Sequence, residues 1–479
     1  MTVGHYIDGQ WIYSGESVLT ISPSDGETVT EYHRSDSKIL SLATLSARRC
    51  FESDAWRSRS RLRAQFLLEL ADQISAVKEE LSVKIALESG KVITQVRHEV
   101  QAAINECVYY AGLARATFGR TAEFDEGQQS LFTREPIGVA AIIVPWNAPA
   151  TLLIRSLAPA VAAGCTSVIK PAHESAGTHG ILMSCIANCP SLVPGAINSI
   201  NDGGVSISKE LVTNPEIDVI SYTGSSQTGK LIMEASSSSL KRLSLELGGK
   251  SPAVIFPGAD IENAVSEIVR GSMAHSGQMC TAIGRVIVHS SSYKQVRDTL
   301  VKRLEVLTVG HALDESANLG PLINGAAADR YISYVDAAGR DGSVLVGGEK
   351  LSGGAYGTGC YVSPTLAEID DLSHPLIQNE LFSPFIVLER FDDPEEAIAR
   401  ANATRYGLSA SVYTDTHRVA QLAARKIKAG TVWINCHNRL MVEAETGGYR
   451  DSGLGRLHGV EGLGPFLETK HIYTESKQW

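Results

Sequence analysis

Three short segments of this chain hold side chains suited to attack on a carbonyl carbon. Cys280, in SGQMCTA, offers a thiol that becomes a strong nucleophile as the thiolate, and oriented amides around such a turn are expected to lower its pKa. Glu246, in LELGGKSP, lies between Leu245 and Leu247. Apolar neighbours desolvate a carboxylate and raise its pKa toward the range useful to a general base. Asn147, at the end of VPWN, carries an amide able to donate to an oxygen that becomes negative. Each has an ordinary alternative: an inert buried cysteine, a solvated glutamate, an asparagine making a local turn bond. Gly277 before the cysteine and Gly248-Gly249 after the glutamate let a substrate or cofactor come close to the backbone, which tips the reading toward chemistry.

Weaker signals accompany them. Lys170 ends TSVIK and is placed to hold ribose hydroxyls, or else is a solvated charge. SYTGSSQTGK sets Gly224 and Gly229 around Ser225 at a strand-to-helix junction, where backbone N–H groups meet phosphates. The glycines do not make G-x-G-x-x-G, and Gly229-Lys230 is followed by Leu231 rather than by the hydroxyl residue of an ATP-binding loop. Cys185 and Cys189 sit four apart with no second pair at a metal-binding spacing, so no metal is expected.

Elements that position these residues can be read from the pattern of apolar runs. The first 50 residues read as short strands and turns, and 38–118 as helices with apolar residues at three and four spacing, Gly90 suiting a helix end. From GVAAIIVPWN onward strands and helices alternate: TLLIRSLAPAVAAG, TSVIKPA, GTHGILMSCIANC, AINSI, VSISKELVTN, DVISYTG, SQTGKLIMEASS. Repeated βα units predict a doubly wound parallel sheet with ligands beyond the strand ends. A second series begins at SPAVIF and runs through GRVIVH, DGSVLVGG, FSPFIVLERF, LSASVYT and GTVWINC.

At 479 residues, with 43% hydrophobic and 20% charged residues, the chain has room for two or three domains. A formal net charge of −10, without a basic block, argues against nucleic acid as a partner. MTVGHYIDGQWIY has no basic stretch followed by an apolar core, and the most apolar run, 139–144, is too short to span a bilayer. Eight cysteines without paired spacing fit reduced thiols, and the expected location is cytoplasmic, with no membrane association.

Taken in order, PWN, IKPA, SYTGS, LELGGKSP, GQMC and NELFSPF resemble the aldehyde dehydrogenase superfamily, and the resemblance runs from about residue 5 to about residue 475. It implies a Rossmann-type doubly wound cofactor domain, an α/β catalytic domain and a small β oligomerisation arm. The expected boundaries are 1–117 with 137–247 for the cofactor domain, 248–448 for the catalytic domain, and 118–136 with 467–479 for the arm. The implied activity is oxidation of an aldehyde to the free acid with NAD+ or NADP+, by a homodimer or homotetramer. In that scheme Cys280 forms the thiohemiacetal, Asn147 and the Cys280 N–H hold its oxyanion, and Glu246 activates the hydrolytic water. Lys170 and Glu380 would bind cofactor ribose hydroxyls, Ser225 a phosphate, Trp146 the adenosine side and Phe382 the nicotinamide ribose.

Departures from the family pattern shape the finer expectations. His173 stands where relatives often carry the glutamate that holds the adenosine ribose, and Glu174 follows; the first facing the ribose would admit NADP+, the second would favour NAD+. Ser383 replaces the usual glycine of the Phe-Gly-Pro step, and Leu457 replaces a glutamate that some relatives use as a second proton carrier, which leaves Glu246 as the base. Positions matching the substrate tunnel are Ala148, Leu152, Arg155, Ala274, Met279, Thr281, Leu440 and Thr446. Small Ala148 and Ala274 suit a bulky, aromatic aldehyde. Arg155 and Arg439 suit the carboxylate of a semialdehyde, or else are surface arginines beside acids. A thioesterase or esterase using the same thiol would need a histidine base, and none of the 13 histidines falls in a partner motif. A non-catalytic relative of the fold would have lost one of Cys280, Glu246 and Asn147.

Overall fold

The computed structural model describes residues 2–202 and 205–476. The run Val139–Ile143 forms a strand because a continuous apolar segment is stable only when both faces are covered, and all five residues are buried. It lies inside an eight-stranded sheet. In spatial order the strands are Gly453–Leu454, Arg242–Glu246, Val219–Thr223, Val139–Ile143, Thr166–Lys170, Ile197–Ser199, His5–Ile7 and Gln10–Ile12. The five from Arg242–Glu246 to Ile197–Ser199 run parallel, and the edges are antiparallel. Helices Pro149–Ala163, Ala176–Ala187, Ser206–Thr213 and Ser226–Ser236 make the connections. The α/β reading of this half therefore holds, with right-handed crossovers as the expected way to join parallel neighbours.

Helix Pro149–Ala163 shows how local sequence sets an element. Pro149 occupies its first turn, where a missing N–H costs nothing, and Gly164 ends it at φ 105°. Nearly every side chain of this helix is buried, because it packs under the sheet and against the long helix Ile93–Leu113.

A second, seven-stranded sheet takes over at Ser251. Its order is Ser343–Val346, Thr365–Glu368, Phe385–Phe391, Ile283–His289, Ser251–Ile255, Ser409–Tyr413 and Thr431–Ile434, parallel except for the first strand. At its centre Arg285 and Glu389 form a two-pronged ion pair at 2.6 and 2.8 Å, both side chains fully buried. A third sheet joins Arg120–Asp125, Gln128–Pro136 and Leu467–Glu475 in antiparallel register, with Phe124, Leu131, Ile472 and Tyr473 exposed. It coincides with the stretches expected to form the arm; residues 477–479 of that expectation lie outside the described residues. No helix among the described residues is long and apolar enough to cross a membrane.

Candidate active site

Register brings the expected residues to one rim. On the parallel strands Ile143 pairs with Lys170 and Thr223 with Glu246, so four strands end level with one another. Glu246 and Lys170 are the last residues of their strands, and Asn147 follows Ile143 by one short turn. The rim is the carboxyl end of the sheet, where doubly wound folds bind ligands.

Cys280 sits in a turn, with Ala282 N–H donating to Met279 O at 3.0 Å, ahead of the strand Ile283–His289. Three consecutive left-handed residues, His275 (φ 49°), Ser276 (φ 52°) and Gly277 (φ 72°), turn the chain sharply into it. Such conformations persist where surrounding contacts hold them. Here Gln95 Oε1 accepts from His275 N–H at 2.8 Å, and Ser276 Oγ donates to Gly320 O at 2.7 Å. Gly277 cannot be replaced simply, because a Cβ there would lie 2.1 Å from the Ser383 carbonyl oxygen. The Asn147 side-chain amide donates to Gln278 O at 2.9 Å, which ties the turn to the first sheet.

Electrostatics separate the thiol from the carboxylate. Burial pushes the Glu246 carboxyl up to about 7, opposed by Arg155 and Arg456, and its Oε1 has no hydrogen-bond partner. That matches the sequence expectation. The thiol corrects it: burial pushes Cys280 up to about 11, with Glu380 and Glu246 adding to the rise and Arg155 opposing it. Desolvation of the charged sulfur outweighs the nearby amides, so the resting group is a thiol.

Gly248-Gly249 also admits a close approach from within the chain. A Cβ on Gly248 would lie 2.3 Å from Glu380 Oε2, and one on Gly249 would lie 2.8 Å from the Cys280 carbonyl. Glu380 Oε1 accepts from Gly249 N–H at 3.1 Å, and burial lifts its carboxyl to about 7. Lys170 is buried rather than solvated; burial lowers its pKa, while Asp202 and Glu174 act in the other direction. On the turn His173–Ser175, His173 projects outward with 53% of its side chain exposed and Glu174 is the more enclosed at 23%, the two 3.3 Å apart.

The Trp146 ring stands edge-on to His275 at 5.7 Å and to Phe382 at 5.9 Å, and Phe382 itself is left-handed (φ 51°). Ser225 caps helix Ser226–Ser236, accepting from Thr228 N–H at 3.2 Å, and is exposed. The Gly224 N–H is already spent on Glu246 O at 3.0 Å, so it is not one of the free donors expected for a phosphate.

Ala148, Leu152 and Arg155 are all buried at one-turn and two-turn spacings at the start of helix Pro149–Ala163. The Arg155 guanidinium donates once, to Thr223 Oγ1 at 3.3 Å, its Nε has no partner, and it makes no ion pair among the described residues. Arg439 has the ordinary fate, paired with Glu267 at 3.0 Å. Met279 flanks the thiol, Thr281 Oγ1 donates to Asn438 Oδ1 at 2.9 Å, Ala274 is half-buried, and Leu440 is exposed on its loop. Cys185 lies in helix Ala176–Ala187 and Cys189 just beyond its end, both buried free thiols, and no metal-binding cluster exists among the described residues.

Sequence reasoning missed Lys250, whose side chain is buried in the crevice beside Glu380. It also missed Gln278, fully buried, whose Oε1 accepts from Ile323 N–H at 2.9 Å while its carbonyl holds Asn147. A charged residue directly after Gly-Gly at a strand end was the one available signal for Lys250.

Comparison with known proteins gives a single answer. The model of the aldehyde dehydrogenase family matches residues 11–472. Aldehyde dehydrogenase 1 of Tanacetum cinerariifolium is 35% identical over 478 residues, covering 98% of this chain and 94% of that protein. Betaine aldehyde dehydrogenase of Bacillus subtilis (strain 168) is 34% identical, covering 98% and 97%. Among solved structures, betaine aldehyde dehydrogenase of Staphylococcus aureus in complex with NAD+ superposes with a TM-score of 0.97 at 32% identity, over 99% of this chain and 95% of that one.

Proposed function

The chain belongs to the aldehyde dehydrogenase family, and from that premise we propose that Cys280, Asn147 and Glu246 oxidise a bulky aromatic or carboxylate-bearing aldehyde to its acid, with NAD+ preferred. The observation that carries the reading is the meeting at one rim of a thiol, a desolvated carboxyl near neutrality and an amide donor fastened to the thiol's own turn.

The chain's residues suit a dinucleotide: a buried amine at Lys170, a carboxyl at Glu380, a capped helix N-terminus at Ser225 and the aromatic pair Trp146 and Phe382. When bound, the nicotinamide supplies the hydride acceptor. Cys280 Sγ bonds to the aldehyde carbon, and its proton passes to a base, for which Glu246 at about 7 is suited. The carbonyl oxygen becomes an oxyanion, which the second N–H of the Asn147 amide and the Cys280 N–H receive. Such a donor typically contributes about 3 kcal/mol. Covalent capture also holds the hydride donor in place, an entropic gain of up to about 7–11 kcal/mol in ideal geometry. After the hydride leaves and Glu246 has released its first proton to solvent, Glu246 takes a proton from water, and the resulting hydroxide displaces the thiolate from the thioester to give the acid.

For the cofactor, Glu174 lies inward beside Lys170 and His173 outward. A carboxylate there accepts the ribose hydroxyls and repels a 2′-phosphate. For the substrate, Arg155 offers a buried cation that makes no ion pair among the described residues, while Arg439 is already paired.

The test is absorbance at 340 nm with an aldehyde panel, NAD+ and NADP+ in parallel, and Cys280→Ala as control. Reduced cofactor formed only by the intact thiol, fastest with aromatic or carboxylate-bearing aldehydes, is expected. Acetaldehyde winning on kcat/KM would overturn the substrate reading. Cleavage of activated esters without any cofactor reduction would overturn the oxidation.

A further inference from the structure

Lys250 is the residue at this rim that the reaction above leaves without a task. Only 4% of it is exposed, and its amine makes no hydrogen bond or ion pair among the described residues. It lines one crevice with Gly249, Met279, Glu380, Phe382 and Ser383. Gly284 leaves the room it needs, since a Cβ there would lie 3.2 Å from Lys250 Nζ and 3.1 Å from its Cδ. An enclosed lysine that lines a crevice and spends none of its donors on the protein points to a group that enters the crevice or shares it.

Glu380 is the acid that lines the same crevice. Its carboxyl rests on Gly248 and Gly249, held by one N–H bond at 3.1 Å, and Lys250 is the charged group that lowers its pKa. Burial in turn brings the Lys250 amine down to about 7, with Arg285 pushing the same way and Glu389 and Glu380 opposing. Arg285 and Glu389 are bound to each other by two hydrogen bonds, whereas Glu380 makes no ion pair among the described residues.

We propose that Lys250 is a positioning residue for Glu380, orienting the carboxylate that meets the ribose diol of the nicotinamide cofactor. The proposal rests on the aldehyde dehydrogenase reading, in which Glu380 takes that diol. Lys250 touches neither substrate nor cofactor in this role; it acts through the carboxylate beside it.

The experiment is titration of NADH fluorescence on the full-length protein, with Lys250→Met, Lys250→Gln, Glu380→Gln and the double variant Lys250→Met with Glu380→Gln. Lys250→Met is expected to weaken NADH binding about tenfold and to raise the KM for NAD+ by a similar factor, with kcat within about threefold of the wild type. The double variant is expected to bind no worse than Glu380→Gln alone, because the lysine has nothing left to orient. Lys250→Gln keeps a polar head in the crevice and serves if the methionine variant fails to fold; the same loss is expected. Additive losses in the double variant, or wild-type binding by either lysine variant, overturn the proposal. Failure of the wild-type protein to bind NADH overturns the functional reading instead, so the two are told apart.

Discussion

The Asn147 side-chain amide donates to the backbone carbonyl of Gln278 at 2.9 Å, so the group proposed to receive the oxyanion also fastens the turn that carries Cys280. A primary amide has two N–H donors, and this bond uses one. The bond fixes the amide plane, which aims the second hydrogen. It spans the two large sheets, since Asn147 follows a strand of the first and Gln278 precedes a strand of the second.

Asn147→Ala is therefore expected to lower kcat by about 10²–10³, the usual cost of one oxyanion donor. Alkylation of Cys280 by iodoacetamide at a fixed pH should change by no more than about threefold, since the Ala282–Met279, His275–Gln95 and Ser276–Gly320 bonds still hold the turn. A variant whose alkylation collapses in step with kcat would show that the residue acts through the turn alone.

Glu246 predicts a pH profile. Its carboxyl is raised to about 7, so the ionised base is lost below that value, and turnover limited by hydrolysis should fall about tenfold per pH unit below 7. Glu246→Gln should retain a burst of reduced cofactor and lose about 10²–10⁴ in steady turnover, read by stopped-flow absorbance. The stability sign is the reverse of a salt-bridged acid. Between the ordinary value of 4.5 and about 7 the folded state holds a proton that the unfolded chain does not. Stability from this group is thus lost as pH rises through that window, and Glu246→Gln should flatten that part of a Tm-against-pH curve.

Arg155→Leu should separate substrates by charge. A hydrogen-bonded pair with a carboxylate is worth about 1.5–3 kcal/mol, or roughly 10–100-fold. The kcat/KM of carboxylate-bearing aldehydes should fall by that factor relative to neutral aromatic ones. Equal losses for both classes would remove the anion reading and leave a role near the thiol.

Glu174→Gln should raise the NADP+ to NAD+ ratio of kcat/KM about tenfold, whereas His173→Gln should leave it nearly unchanged, because Glu174 is the enclosed side chain of the two. The converse result would place His173 at the ribose.

Arg285 and Glu389 carry a stability prediction. Removing one partner of a fully buried ion pair leaves an uncompensated charge and costs about 3–5 kcal/mol, whereas replacing both with apolar residues costs far less. Arg285→Met should lower Tm markedly, and Arg285→Met combined with Glu389→Leu should recover most of the loss in a thermal melt.

Much of this protein was legible in its residues taken in order. The apolar run of 139–144, Gly164 at the end of helix Pro149–Ala163 and the alternation that follows Pro136 determined the parallel sheets, because strand and helix formation depend on neighbours a few positions away. Cys280, Glu246 and Asn147 stood out for the same reason: their flanking residues are local. The fates of charged side chains were decided only by the tertiary structure. Arg155 and Arg439 look alike in sequence, yet Glu267 pairs with Arg439, and Arg155 makes no ion pair among the described residues. Lys170 could be a solvated charge until the strands around it close, and the thiol of Cys280 rises to about 11 rather than falling. Pairing and desolvation are sums over atoms that the fold gathers from remote parts of the chain, and those sums cannot be taken along it.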